Sequence, residues 1–225
     1  MENTNTNQKI KSSDASFAEL YAKKDFKGAI DYLLHNKQQF SSGTFHYNLG
    51  TTYAKLGDLG AARFHLEKAR EVGVYHSAMV NNLNYVEAKI DAEDLSNSTS
   101  IADKVIDYSL HIPASGYFSI SLVLVVLALF IFMKNKLKNS IKVWIILLLC
   151  FLPTLYSQLY LHSLNQAVSL KDTVIYEGPS KIFHEKGKLK PGAKVLLGEF
   201  KDGWFFVKYP VSLSGWVSKE NLGIL

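Results

Sequence analysis

The sequence is poor in the residues that most often carry chemistry. Its single cysteine, Cys150, sits inside an apolar run. One thiol closes no internal disulfide and supplies no metal-ligand spacing. It reads as a small apolar residue and leaves the redox compartment unread. Arginine is nearly absent, with Arg63 and Arg70 the two in the chain. A nucleic-acid face concentrates Arg and Lys on one folded element, and the net charge of +5 does not supply one because it is segregated. Residues 1–108 carry 12 Lys and Arg against 14 Asp and Glu, residues 134–142 carry four Lys and no acid, and residues 171–225 carry nine Lys against six acids. The sequence also lacks a Gly-rich phosphate loop, a Gly-x-Ser-x-Gly elbow and a His-Glu-x-x-His pair, the signatures of phosphate cradling, serine nucleophiles and zinc hydrolysis. His46, His65 and His76 share no i, i+4 ligand spacing. No catalytic residue, metal or cofactor is expected, and the chain reads as a non-enzyme.

Charge is absent over two long stretches. No Asp, Glu, Lys or Arg lies between Asp107 and Lys134, nor between Lys142 and Lys171. Residues 116–133 (GYFSISLVLVVLALFIFM) span roughly 27 Å as a helix, close to a hydrocarbon core of ~30 Å. Residues 143–161 (VWIILLLCFLPTLYSQLYL) form a second span, with Trp144 at one interface, Tyr156 and Tyr160 at the other, and Pro153 as a kink. Lys134, Lys136, Lys138 and Lys142 crowd the loop over 134–142 between them. Positive-inside then places that loop in the cytoplasm and both chain ends outside, in the cytoplasmic membrane of a bacterium. An external N-terminal domain needs an export signal, and MENTNTNQKIKSS has no apolar core of one. A signal lost ahead of these residues is favoured over translocation without one or an inverted topology. The pieces outside the spans are too small for a doubly wound nucleotide-binding sheet or a barrel enzyme.

The N-terminal part repeats itself. Leu49-Gly50, Tyr53, Gly57-Asp58, Ala62, Leu66 and Ala69 fall within 47–69, and Leu20, Asp25, Ala29 and Leu33 precede Tyr53, Asp58, Ala62 and Leu66 by a constant 33 residues. The physics is that of a helical hairpin. Gly50 and Ala62 allow close approach, Tyr53 and Leu66 fill the wedge, and Gly57-Asp58 turns the chain. These spacings resemble the tetratricopeptide repeat. The resemblance implies an α-solenoid over 14–95, after a disordered tail over 1–13. A partial third unit, AMVNNLNYVEAKIDAEDL, forms a solvating cap, although Asn84 stands where Gly50 recurs and the usual Pro near Val74 is missing. The concave face of such an array presents Tyr47, Thr51, Ala54 and Lys55, with Ala78, Asn81 and Tyr85 from the cap. Tyr47, Thr51, Lys55, Asn81 and Tyr85 are the candidate peptide-binding residues, since rings supply area and amides grip backbone.

Asp91–Ser100 (DAEDLSNSTS) has linker composition, and the linker and juxtamembrane segment is assigned to 96–115. Ile101, Val105 and Tyr108 fall on one helical face, as in a short helix lying against a membrane before Pro113. After a second linker, 162–170, the pattern turns to period two. Tyr176-Glu177-Gly178-Pro179-Ser180, Leu189-Lys190-Pro191-Gly192, Gly203-Trp204-Phe205-Phe206-Val207 and Ser214-Gly215-Trp216-Val217 resemble the bacterial SH3-like domain. That implies a small five-stranded barrel over 171–225 with cell-wall or protein contact as its role. The usual Asp-Gly before the last Gly-Trp-Val is replaced by Val211–Ser214. Trp204 and Trp216 are expected in the core more than as ligand platforms.

Repeat array, two spans with a lysine loop, then an SH3-like barrel resembles the BatE-type family of the Bacteroides aerotolerance (Bat) operon. The resemblance covers the chain after residue 13. It implies a membrane-anchored interaction scaffold, associated with von Willebrand factor A-like Bat proteins and a MoxR-type ATPase, with no nucleic acid. The alternative is a cell-wall anchor in which the barrel contacts peptidoglycan.

Overall fold

A computed structural model describes residues 16–91, 93–134 and 141–225. The expected tail over 1–13, and Lys136 and Lys138, lie outside the described residues. The architecture is mixed α and β, in two compact units: residues up to Leu95 together with Gln166–Leu225, and Ser96–Asn165.

The first unit opens with five helices, α1 (Phe17–Ala22), α2 (Phe26–His35), α3 (Ser42–Leu56), α4 (Leu59–Glu71) and α5 (Ser77–Lys89). Each begins on a side-chain cap, which answers an orphan backbone donor of the first turn. Asp25 accepts from the Gly28 amide and Asp58 from the Ala61 amide, both at 3.0 Å. These aspartates are the 33-residue echo of one another. The residue before each has positive φ, Lys24 at 61° and Gly57 at 86°. The echo continues inward, with Ala29 and Leu33, Ala62 and Leu66 all fully buried. Gly50 is needed for packing, because a Cβ there would stand 2.7 Å from Leu66 Cγ and 2.9 Å from its backbone nitrogen. The sequence repeat is thus a repeat of helical hairpins, α1–α2 and α3–α4, followed by the single helix α5.

The same unit carries a sheet of β1 (Asn165–Ser169), β2 (Thr173–Tyr176), β3 (Glu185–Leu189), β4 (Lys194–Lys201), β5 (Trp204–Tyr209), β6 (Gly215–Ser218) and β7 (Leu222–Ile224). Its order is β3-β2-β6-β5-β4-β1-β7. The pairings β1–β7, β2–β3, β2–β6, β4–β5 and β5–β6 are antiparallel. Asp202 and Gly203, at φ 49° and 86°, make the tight β4–β5 turn, as a two-residue hairpin loop demands. Ile175, Leu189, Val195, Leu197, Val207 and Val217 form the core of the sheet. Seven strands in an open order replace the expected five-stranded barrel. β1 begins inside the stretch taken as the 162–170 linker. It is short, and Ala167 and Val168 are both buried, so it shows no alternation. Trp204 and Trp216 are half-buried in edge-to-face pairs with Tyr176 and Phe206, outside the buried cluster.

Helices and sheet are joined by charge. Arg63 of α4 is 1% exposed and bonds Asp94, with Glu87 at 3.1 Å and the Gly192 carbonyl at 2.8 Å. Glu67, one turn on, bonds Arg70 and lies 3.5 Å from Lys194 Nζ. Lys194 is fully buried in β4, and its amide donates to Asp94 at 3.3 Å. Three cations therefore meet three anions. Burial alone would lower the Arg63 pKa, but Asp94, Glu67 and Glu87 outweigh it and hold the guanidinium above its ordinary value. The backbone follows the charges. Leu95 N donates to Lys194 O at 2.9 Å, and Lys190 Nζ donates to the Asp91 carbonyl at 2.7 Å. Asp91 and residues 93–95, expected from composition as the start of a solvated linker, run along the sheet instead. The acid-rich composition serves an interface, with Asp94 1% exposed and Leu95 fully buried.

The second unit contains α6 (Ile101–His111), α7 (Ala114–Lys134), α8 (Ile141–Leu149) and α9 (Leu152–Leu159). Among the described residues one helix, α7, is long and apolar enough to cross a membrane, and 17% of its apolar window is buried. At ~1.5 Å per residue it spans roughly 31 Å. The second apolar stretch is broken between α8 and α9, with a bend of 42° near Pro153. A polar seam joins α9 to α7, where Thr154 Oγ1 meets Ser121 Oγ at 2.9 Å and the Thr154 amide donates to the same oxygen at 3.3 Å.

Removing one member of a buried ion network leaves the others uncompensated, at a cost of about 3–5 kcal/mol. Arg63→Met should therefore destabilise the full chain in detergent by that order. Adding Asp94→Leu should recover part of the loss. Thermal melting checks both, and an Arg63→Met midpoint equal to the parent's would contradict the assignment.

Candidate functional site

The face shared by α3 and α5 gathers the residues singled out from sequence. Tyr47, Thr51 and Lys55 lie at i, i+4 and i+8 on α3, one stripe of a helix. Tyr47 is half-buried and meets the His76 ring edge-on at 4.8 Å. Thr51 Oγ1 accepts from Asn82 Nδ2 at 3.1 Å, so the two helices are bonded across the face. Lys55 and Asn81 are exposed. Tyr85 is 52% exposed with Lys89 Nζ 4.9 Å from its ring centre. The Lys89 hydrogen bond, then its charge and that of Lys55, hold the Tyr85 hydroxyl below its ordinary pKa. Lys55 and Tyr85 are therefore electrostatic neighbours.

Sequence reasoning missed Asn82, His76, Lys89 and Tyr21. Asn82 lies one position from Asn81, and only the α5 rotation tells which amide reaches Thr51. Tyr21 of α1 is half-buried, and its hydroxyl pKa is raised by burial and then by nearness to Tyr47. Lys134 is exposed at the end of α7, and Lys142 is exposed in α8.

A second feature lies between α3 and α4. His46 Nδ1 and His65 Nδ1 are 2.8 Å apart, so one ring donates to the other. The His65 ring stacks on Tyr53 at 5.6 Å, with 3° between planes. Among the described residues no group of three or more His, Cys, Asp or Glu is placed to hold a metal ion. A cleft of about 410 Å³ opens where the helices meet the sheet, lined with balanced charge from Asp58, Lys89, Asp91, Lys171, Asp172 and Lys190.

No protein-family model, curated protein or solved structure matches the chain. The functional reading therefore rests on residues and geometry.

The histidine pair makes the helical part sensitive to acid. Burial, and then the neighbouring His46, push the His65 pKa down from 6.5 to about 4. The folded state prefers the neutral ring, so below about pH 6.5 the unfolded chain takes up the proton first. Stability from this pair is complete above pH 6.5 and is lost as pH falls towards 4. Urea midpoints of the full chain should fall across that window, and His65→Phe should flatten the dependence. An unchanged slope in His65→Phe would assign the acid sensitivity elsewhere.

Proposed function

We propose that the chain is a membrane-anchored protein–protein interaction scaffold. The observation that carries this reading is the α3–α5 face. It is ordered by the Thr51–Asn82 and Tyr47–His76 contacts, yet leaves Lys55, Asn81 and Tyr85 exposed. An extended peptide laid along it would find rings for area, an amide for its backbone, and Lys55 and Lys89 for acidic side chains. Ordering before binding favours affinity, because fewer side chains have to be immobilised. The repeated hairpins support a tetratricopeptide array, and the antiparallel sheet supports an SH3-like module of altered edge.

The resemblance to BatE-type proteins implies partners in a membrane complex that contains von Willebrand factor A-like Bat proteins and a MoxR-type ATPase. In this reading α7 and the bent pair α8–α9 are two spans of the cytoplasmic membrane. The lysine-rich segment 134–142 stays in the cytoplasm, and the helical repeats and sheet lie outside it. Four lysines in that segment, against the few flanking the spans outside, support this orientation.

Co-purification of the full chain with a von Willebrand factor A-like Bat protein tests the face directly. Asn81→Ala and Tyr85→Ala should each weaken capture about tenfold, roughly 1–2 kcal/mol, without lowering the melting temperature. Tyr47→Ala should lower both, because its half-buried ring also packs against the helical core. Lys68→Ala should do neither, since Lys68 pairs with Glu71 on α4. Normal capture by a stable Asn81→Ala/Tyr85→Ala variant would remove this face from the mechanism.

A further inference from the structure

α6 buries Ile106 but turns a second set of apolar side chains outward, where a helix of a water-soluble protein is ordinarily polar. Ile101, Val105 and Tyr108 follow one another at i, i+4 and i+7, a single stripe at helical period. They are 80%, 55% and 73% exposed. The opposite side holds the acids, with Asp103 1% and Asp107 6% exposed. Asp103 accepts from Ser98 Oγ at 2.6 Å, and His111 Nδ1 lies 3.7 Å from Asp107. A surface helix ordinarily buries its stripe and solvates its charges. Here the two acids are turned inward, and the stripe is turned out.

The chain immediately after α6 shows what covers that stripe. Only Ile112 and Pro113 separate α6 from α7, the helix whose apolar window is left 83% unburied by protein (100 less the 17% buried). The join is bonded, since the Tyr117 hydroxyl of the first α7 turns donates to the Ser109 carbonyl of α6 at 3.0 Å. Tyr108 brings an amphipathic ring to the stripe and exposed Lys104 flanks it, the pairing that suits the headgroup level of a bilayer. We infer that α6 is an interfacial helix, lying in the membrane surface with Ile101, Val105 and Tyr108 in lipid at the headgroup–acyl boundary. This rests on the membrane reading of α7 and is independent of the peptide-binding reading of the α3–α5 face.

The tilt and rotation of a spanning helix are set by its packing and by interfacial anchors. The Thr154–Ser121 seam with α9 supplies packing for α7, and a helix laid at the surface and bonded to it at Tyr117–Ser109 adds an interfacial anchor. Apolar burial along the stripe is the favourable contribution.

Spin labels on the full chain test this, in a Cys150→Ala background and in mixed phosphatidylcholine–phosphatidylglycerol vesicles. Single cysteines replace Val105 and Tyr108 on the stripe, Val126 in mid-α7, and Lys201 in the exposed β4 end as an aqueous reference. Accessibility to oxygen and to a water-soluble nickel chelate reads depth. The Val126 label should be deep, the Lys201 label aqueous, and both stripe labels should sit roughly 5–10 Å into the boundary. If Val126 is deep but the stripe labels match Lys201, α6 is not interfacial while the span stands. If the stripe labels are reached by neither collider, protein covers them, and the inference is overturned. If Val126 itself is aqueous, the span and the interfacial helix fall together.

Discussion

The buried charge network around Arg63 is the constraint on which the first unit depends. Arg63, Arg70 and Lys194 face Glu67, Glu87 and Asp94 with almost no water access to Arg63, Glu67, Asp94 or Lys194. Such a cluster adds little net stability compared with an apolar core of the same shape. What it adds is a penalty for any other arrangement. If α4 slid along β4, Arg63 would leave Asp94 and the Gly192 carbonyl behind, and each would be buried without its partner. Backbone contact is equally close, for a Cβ on Gly223 would stand 2.5 Å from the Phe64 ring, and one on Gly60 2.4 Å from the Leu170 carbonyl. The helical repeats and the sheet are therefore held in one arrangement by charge and by missing side chains.

That constraint bears on the candidate site. α4 is packed on α3, and α5 on α4, through Ala62, Leu66, Met79, Leu83 and Val86. Glu87, the network's contribution from α5, lies two residues from Tyr85. The face that presents Tyr47, Thr51 and Tyr85 is thus tied through one turn of α5 to the ions that seat the sheet. A partner bound on this face would act on the same frame.

Local features of the fold were legible in the sequence, and long-range ones were not. The 33-residue echo of Asp25 in Asp58 and of Leu33 in Leu66 gave the hairpins, because caps and wedge residues act within a few positions of themselves. The Asp202–Gly203 turn and the Pro153 break were legible for the same reason. Asp94 and Lys194 were not. A charged residue in an acid-rich or lysine-rich stretch reads as solvated, and only the tertiary fold brings together partners a hundred residues apart. β1 was missed because two adjacent buried residues, Ala167 and Val168, leave no alternation to find. Of the candidate site, the α3 stripe was recovered from register alone. Asn82 and Tyr21 were missed because the rotation of α5 and the placement of α1 are set by packing.

The account makes Lys194 the test of its central claim, since it belongs to the sheet by sequence and to the helices by charge. Hydrogen exchange on the full chain in detergent, comparing Lys194→Met with the parent, measures whether the two parts are one unit. Loss of protection should appear in α4 and α5, around Glu67 and Glu87, as well as in β4. Loss confined to the sheet, with α4 and α5 exchanging as in the parent, would contradict it.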